Sequence, residues 1–268
     1  MRFRGDIEGL RAIAVALVIA SHFGWNAMGG GFVGVDIFFV ISGFLITSLL
    51  LAEHDQRLKS AAASSGFSLL GFYVRRVKRI IPAAVLVIVV TCLAANALWN
   101  ELRAQQVRSD AWWALLSAMN FREIWLSTDY FGSSIPHSPL QHYWSLAVEE
   151  QFYFVWPLVL LIGLRFRYGQ SSRWPERTLI VLSGVWGLSF AFSVTFTATN
   201  PAAAYFHPFT RAWELATGAV LATGLRLRQV PWASTTSKVR IVVFFLGLAG
   251  IFVTPAPNFL AHWRCYLC

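Results

Sequence analysis

The sequence has 268 residues, 56% of them hydrophobic and 13% charged, with 12 Trp and 22 Phe and a mean hydropathy of +0.56. These fractions exclude an ordinary soluble domain and point to a polytopic membrane protein. The formal charge of +9 would suit a nucleic-acid binder, but the basic residues fall in short clusters between apolar runs rather than along one amphipathic face, so membrane topology accounts for them and no nucleic-acid partner is expected.

Apolar runs long enough to cross or enter a bilayer lie near residues 9–27, 31–52, 79–99, 109–126, 142–164, 178–198, 209–225 and 239–255, which predicts an all-α transmembrane bundle of about seven to eight segments. The start, "MRFR" before "AIAVALVIA", imitates a signal peptide, but Asp6 and Glu8 spoil its basic region and no A-x-A site follows, so the first run is expected to stay as a helix. Cys92, Cys265 and Cys268 offer neither a disulfide framework nor a metal quartet. The terminal "CYLC" lacks the redox context or upstream basic stretch that would make it a redox pair or a prenylation box.

Positive charge orients the runs. Arg2 and Arg4 precede the first, Arg57 to Arg79 lie between the second and third, Arg165 to Arg177 follow the fifth, and Arg226 to Arg240 follow the seventh. The positive-inside rule makes all four groups cytoplasmic, with the N-terminus inside the cell membrane. That map holds only if residues 101–141 make no net crossing. The 109–126 run is short and interrupted by Asn120, Arg122 and Glu123, so it is expected to re-enter the bilayer or form an outer-face hairpin.

Ionisable side chains inside such runs are costly and therefore informative. In the first run Arg11 and His22, eleven residues apart, share a helix face about 16 Å apart along the axis. The plainer alternative is a snorkelling arginine and a histidine bonded to a neighbouring helix. The second run carries Asp36 and, six residues on, Ser42, among the small residues Gly31, Gly34 and Gly43 that suit close helix packing. In "FYVRRVKRIIP" Arg76 and Arg79 stand at i, i+3, either as a positive-inside anchor or as a two-arginine clamp for a phosphate-bearing cosubstrate. In "HYWSLAVEEQFYFVWP" Glu149 and Glu150 are adjacent, so with about 100° between them they cannot face one cavity together. In "TRAWELATG" Arg211 and Glu214, at i, i+3, read as an intrahelical ion pair.

Taken together, "IEGLRAIAVALVIASHFGW", "GGGFVGVDIFFVISGFLIT", "FYVRRVKRIIP", "HYWSLAVEEQFYFVWP" and "TRAWELATGA" resemble the acyltransferase family 3 membrane proteins, in order from residue 5 to about 225. The resemblance is to the bacterial type that O-acetylates envelope sugars. It implies transfer of an acyl group, typically acetyl from acetyl-CoA, to a hydroxyl of O-antigen, peptidoglycan or exopolysaccharide, with no metal. Its Arg-x10-His element falls on Arg11 and His22, its R-x-x-R element on Arg76 and Arg79, and its W-S-L-x-x-E element on Trp144, Ser145 and Glu149.

The resemblance thus implies that Arg76 and Arg79, with Arg11, hold the CoA phosphates, while His22 serves as general base or transient acyl carrier. Asp36 or Glu149 would orient His22, with Glu149 the motif acid and Glu150 expected to pair with a neighbouring helix or to be protonated. Ser42, Trp144, Ser145, Glu150, Arg211 and Glu214 complete the expected pocket. Residues 1–255 are expected to form the transmembrane domain and 256–268 an atypical tail. Family members have about ten or more spans, and many continue into an extracytoplasmic SGNH-type hydrolase domain, so a truncated or frameshifted member is an expectation too. The competing functions are a flippase for lipid-linked sugars and an inactive fragment.

Overall fold

The computed structural model describes residues 5–23, 33–59, 68–128, 137–165 and 174–227. Within them the chain is all-α, with α1 Gly5–His22, α2 Val33–Lys59, α3 Leu69–Leu98, α4 Glu101–Leu115, α5 Met119–Thr128, α6 Tyr143–Arg165, α7 Trp174–Thr199, α8 Pro201–Phe206 and α9 Pro208–Leu227. Among the described residues four stretches are long and apolar enough to cross a membrane: Val33–Arg57, Leu69–Leu98, Tyr143–Ile162 and Pro175–Thr199. This is a multi-pass membrane protein. The expected run at 239–255, the tail at 256–268 and Gly31 lie outside the described residues.

Two elements differ from their sequence pattern. The basic stretch ending at Pro82 does not precede the third span but belongs to it, because α3 continues through Pro82 for 30 residues. A proline within a helix lacks only one N–H donor and is tolerated where the surroundings hold both flanks. The 109–126 run is not one helix. It is divided between α4 and α5 by a tight turn in which Ser117 takes a left-handed φ of 52°, a conformation uncommon outside glycine. Neither half is long enough to cross, and α4 packs back along α3. Local capping fixes the starts: Ser68 Oγ accepts from Gly71 N at 3.1 Å, and Asn100 Oδ1 from Arg103 N at 2.9 Å.

The helices meet by small residues and polar bonds, as expected where lipid competes for every apolar face. At the seam between α2 and α9, a methyl group on Gly43 would strike the Leu215 carbonyl, and one on Gly218 the Val40 carbonyl. A methyl on Gly34 would collide with Ala14 and Val18 of α1. Elsewhere side chains join helices: Trp156 Nε1 donates to Thr47 Oγ1 at 2.8 Å, and Trp186 Nε1 to Thr217 Oγ1 at 2.9 Å. Around these bonds Leu50, Trp156, Leu160, Leu182, Ala216 and Ala219 form a buried core.

α2 and α9 run parallel, with the Asp36–Arg211 ion pair at 3.1 Å at one end and an Arg226–Asp55 ion pair at the other. The second end also holds Glu53 with Arg57 and Arg75, and we call it the charged pole. α3 runs antiparallel to α6, since Tyr73 bonds Phe154 O at 2.8 Å while Tyr143 bonds Ala84 O at 2.9 Å.

The seam makes a sharp contrast between glycines. Gly184 on α7 has open space where a Cβ would stand. Gly43→Ala is expected to destabilise the protein by about 1–3 kcal/mol through overpacking, whereas Gly184→Ala should be neutral or stabilise by up to about 1 kcal/mol through helix propensity. Unfolding of the two variants in detergent measures the difference, and equal midpoints would contradict the seam.

Candidate active site

α1, α3 and α6 bring charged side chains, and α2 a hydroxyl, to one level within the apolar bundle. Glu149 Oε1 on α6 accepts a hydrogen bond from Ser42 Oγ on α2 and a second from Tyr153 OH at 3.2 Å. Tyr153 lies four residues on, one helical turn away on the same face. Glu150 points elsewhere, as adjacent helical residues must, and its Oε1 lies 3.5 Å from Arg76 Nε on α3. The Arg76 guanidinium stacks on the Tyr153 ring with its carbon 3.1 Å from the centroid, a favourable cation–π geometry. The charges of Arg76 and Arg11 both act on Glu149.

Two donors in this group are unused. Arg11 Nη1 reaches Glu8 at 3.3 Å on its own helix, but Arg11 Nε and Arg76 Nε are buried without a hydrogen-bond partner. Glu150 Oε1 is likewise buried and unbonded, so it meets Arg76 by charge alone. Buried polar atoms are nearly always satisfied, and such exceptions call for an explanation. Arg79, the second arginine of the R-x-x-R element, is exposed on α3, so the two arginines do not form a matched pair.

His22 closes α1, and its side chain lies outside the described set. Its backbone stands eleven residues beyond Arg11, about 16 Å along the axis. Glu149 lies within reach of the Arg11 charge.

Asp36, the other expected partner of His22, is held by Arg211. A single nitrogen, Arg211 Nη1, donates to Asp36 Oδ1 at 3.1 Å and to Glu214 Oε1 at 2.8 Å, while Nε donates to Tyr205 O at 3.0 Å. The intrahelical pair expected from "TRAWELATG" thus also ties α9 to α2 and α8. Trp144 is buried, in edge contact with Phe39 and 4.8 Å from the Tyr205 ring. Ser145 donates to His142 O at 3.2 Å, a local bond that leaves it out of both groups.

A third group was missed in sequence. Asp110 and Arg122 form a buried ion pair at 3.1 Å between α4 and α5, and Arg122 lies over the Trp125 ring. Asn120 and Gln151 bond each other through their amides. The signal was present as Asn120, Arg122 and Glu123 breaking an apolar run, but it read only as a failed span. Glu123 accepts from Gln141 Nε2 at 3.1 Å. Burial, with the nearby Asp110 carboxylate, pushes the Glu123 carboxyl up from 4.5 to about 7, against the opposing Gln141 bond and Arg122 charge.

A family model of the acyltransferase domain matches residues 4–267. The chain belongs to the acyltransferase domain family. Among curated relatives, this acyltransferase-domain chain is 37% identical over 222 residues to the peptidoglycan O-acetyltransferase OatA of Listeria monocytogenes, covering 81% of this chain and 33% of the relative. It is 35% identical over 239 residues to the putative peptidoglycan O-acetyltransferase YrhL of Bacillus subtilis, covering 89% and 36%. It is 37% identical over 251 residues to the O-acetyltransferase OatA of Staphylococcus aureus, covering 93% and 39%. The acyltransferase-domain chain therefore spans little more than a third of the length of these relatives. No solved structure matches it.

The raised Glu123 carboxyl has a definite pH signature. Between pH 4.5 and about 7 the folded state binds this proton more tightly than the unfolded chain, so stability falls as pH rises through that window and is level above it. Glu123→Gln stays neutral throughout, so its stability relative to wild type should grow up to pH 7, by as much as about 3 kcal/mol. Unfolding midpoints of both proteins between pH 5 and 8 test this, and parallel profiles would contradict it.

Proposed function

We propose that this chain is the membrane-embedded catalytic part of an O-acetyltransferase that uses an acyl-CoA donor and modifies hydroxyls of a cell-envelope glycan, peptidoglycan being favoured by the names of its relatives. The observation that carries this reading is the pair of buried guanidinium nitrogens at one level of an apolar bundle, Arg11 Nε without a hydrogen-bond partner and Arg76 Nε meeting Glu150 Oε1 by charge alone at 3.5 Å. Unsatisfied donors of fixed positive charge in such a place fit an anionic ligand, and guanidinium groups suit phosphate. Arg79 supplies a further positive charge on the same helix, nearer the surface. These three arginines would hold the phosphates of the donor.

The donor supplies an acyl group activated as a thioester. His22 acts as general base, taking the proton of the acceptor hydroxyl as its oxygen bonds the acyl carbon and the carbon–sulfur bond breaks. The proton then passes to the departing thiolate. Glu149, at the level of Arg11, Arg76 and Ser42, balances and positions the arginines. The positive-inside rule puts the charged pole and the N-terminus on the cytoplasmic side of the cell membrane, where acyl-CoA is available.

The test is incubation of membranes containing the protein with acetyl-labelled acetyl-CoA and peptidoglycan, O-antigen or exopolysaccharide in parallel. Alkali-labile label on one glycan is the expected result, and a flippase would move glycan without labelling it. His22→Ala should lower transfer by about 10²–10⁴-fold, and Arg76→Ala should raise the donor KM more than it lowers kcat. Near-normal turnover in properly inserted His22→Ala protein would sink the mechanism.

A further inference from the structure

The second polar group, at the end of the α2–α9 seam away from the charged pole, is not used by the mechanism above. It has three properties that bear on a ligand. Two carboxyls, Asp36 and Glu214, share one guanidinium, Arg211. It is partly open, since the Asp36 side chain is 32% exposed while those of Arg211 and Glu214 are 13% and 3% exposed. Its interior is incompletely bonded, because Glu214 Oε2 is buried without a hydrogen-bond partner.

Aromatic rings flank the same guanidinium. The Tyr205 and Trp144 ring centroids lie 4.6 Å and 6.0 Å from the Arg211 guanidinium carbon, and Phe206 packs at 5.3 Å on Trp144. A carboxylate edge beside a guanidinium donor, next to the partly exposed Tyr205, matches a polyhydroxylated ring: hydroxyls donate to the carboxylate and accept from the guanidinium, while a C–H face lies on Tyr205, with the buried Trp144 behind it. The two groups differ in what they leave unbonded. Near Ser42 the atoms without a hydrogen bond include the guanidinium donors Arg11 Nε and Arg76 Nε, which suit an anion, whereas beside Asp36 Glu214 Oε2 is an acceptor, which suits a hydroxyl.

We propose that the Asp36–Arg211 edge, walled by Tyr205, binds one sugar ring of the acceptor glycan. The proposal rests on the glycan-acyltransferase reading and names its acceptor subsite. It stands about 9 Å along α2 from Ser42, six residues away, and toward the end of the bundle where α1 carries His22. The close seam at Gly43 and Gly218 holds α2 and α9 in fixed register, so the two halves of the edge are positioned before any sugar arrives.

The test is a binding measurement that needs no transfer, so that it still reads if the acyltransferase reading fails. The full chain in nanodiscs is titrated with soluble peptidoglycan glycan strands, followed by intrinsic tryptophan fluorescence, and separately with acetyl-CoA. Asp36→Asn keeps the size and removes the charge. It should weaken strand binding about tenfold, the effect of one charge-assisted hydrogen bond, while acetyl-CoA affinity and the thermal midpoint stay near wild type. Tyr205→Leu should weaken strand binding in the same selective way. Equal strand binding by wild type and Asp36→Asn would overturn the proposal, as would failure of the wild type to bind strands. A parallel loss of acetyl-CoA and strand binding would show a structural role and overturn it too.

Discussion

The bundle depends on the backbone-to-backbone approach of α2 and α9. A leucine–leucine contact between two membrane helices gains little over the same leucines against lipid, so association needs close packing and polar bonds. Gly43 and Gly218 provide the first by letting each helix rest on a carbonyl of the other. Once the helices are that close, polar partners at both ends come within reach: Asp36 with Arg211, and Asp55 with Arg226. α7 then packs on α9 through Trp186 and Thr217, and α6 on α2 through Trp156 and Thr47.

With the frame fixed, the polar residues divide into groups with different electrostatic character. The Glu149 level takes members from four helices and leaves two arginine nitrogens unbonded. The Asp36 group has its one arginine engaged by two carboxylates and a backbone carbonyl. The Asp110–Arg122 pair is nearly enclosed, its side chains 0% and 10% exposed, and joins α4 to α5. Removing one partner of such a pair strands the other charge, so its presence reports on folding more than on chemistry.

Much of this was legible in the sequence because apolar length and charge clusters are one-dimensional signals. Four of the eight expected runs, those in α2, α3, α6 and α7, the Arg211–Glu214 spacing and the divergence of Glu149 from Glu150 follow from apolar length and helical geometry. The arginines from Arg75 to Arg79 read as a cluster ahead of the third run, whereas α3 carries them within one 30-residue helix. Which carboxylate meets which cation was not legible, because Ser42 and Glu149 are 107 residues apart and Asp36 and Arg211 are 175 apart. Tyr153 was overlooked for a different reason. In a chain this rich in aromatics a tyrosine one turn from a glutamate looks like packing, and only the arginine from α3 shows that it is shared.

The antiparallel pairing of α3 with α6 is offset. α3 turns apolar side chains outward along its whole length, from Leu70, Val74 and Val77 through Leu86 and Val90 to Leu98. α6 does so only in its second half, through Phe154, Val155, Leu158 and Ile162, because α5 packs on it. The clustered arginines of α3 thus stand among lipid-facing residues, and their long stems can carry the charged heads toward water along the helix surface.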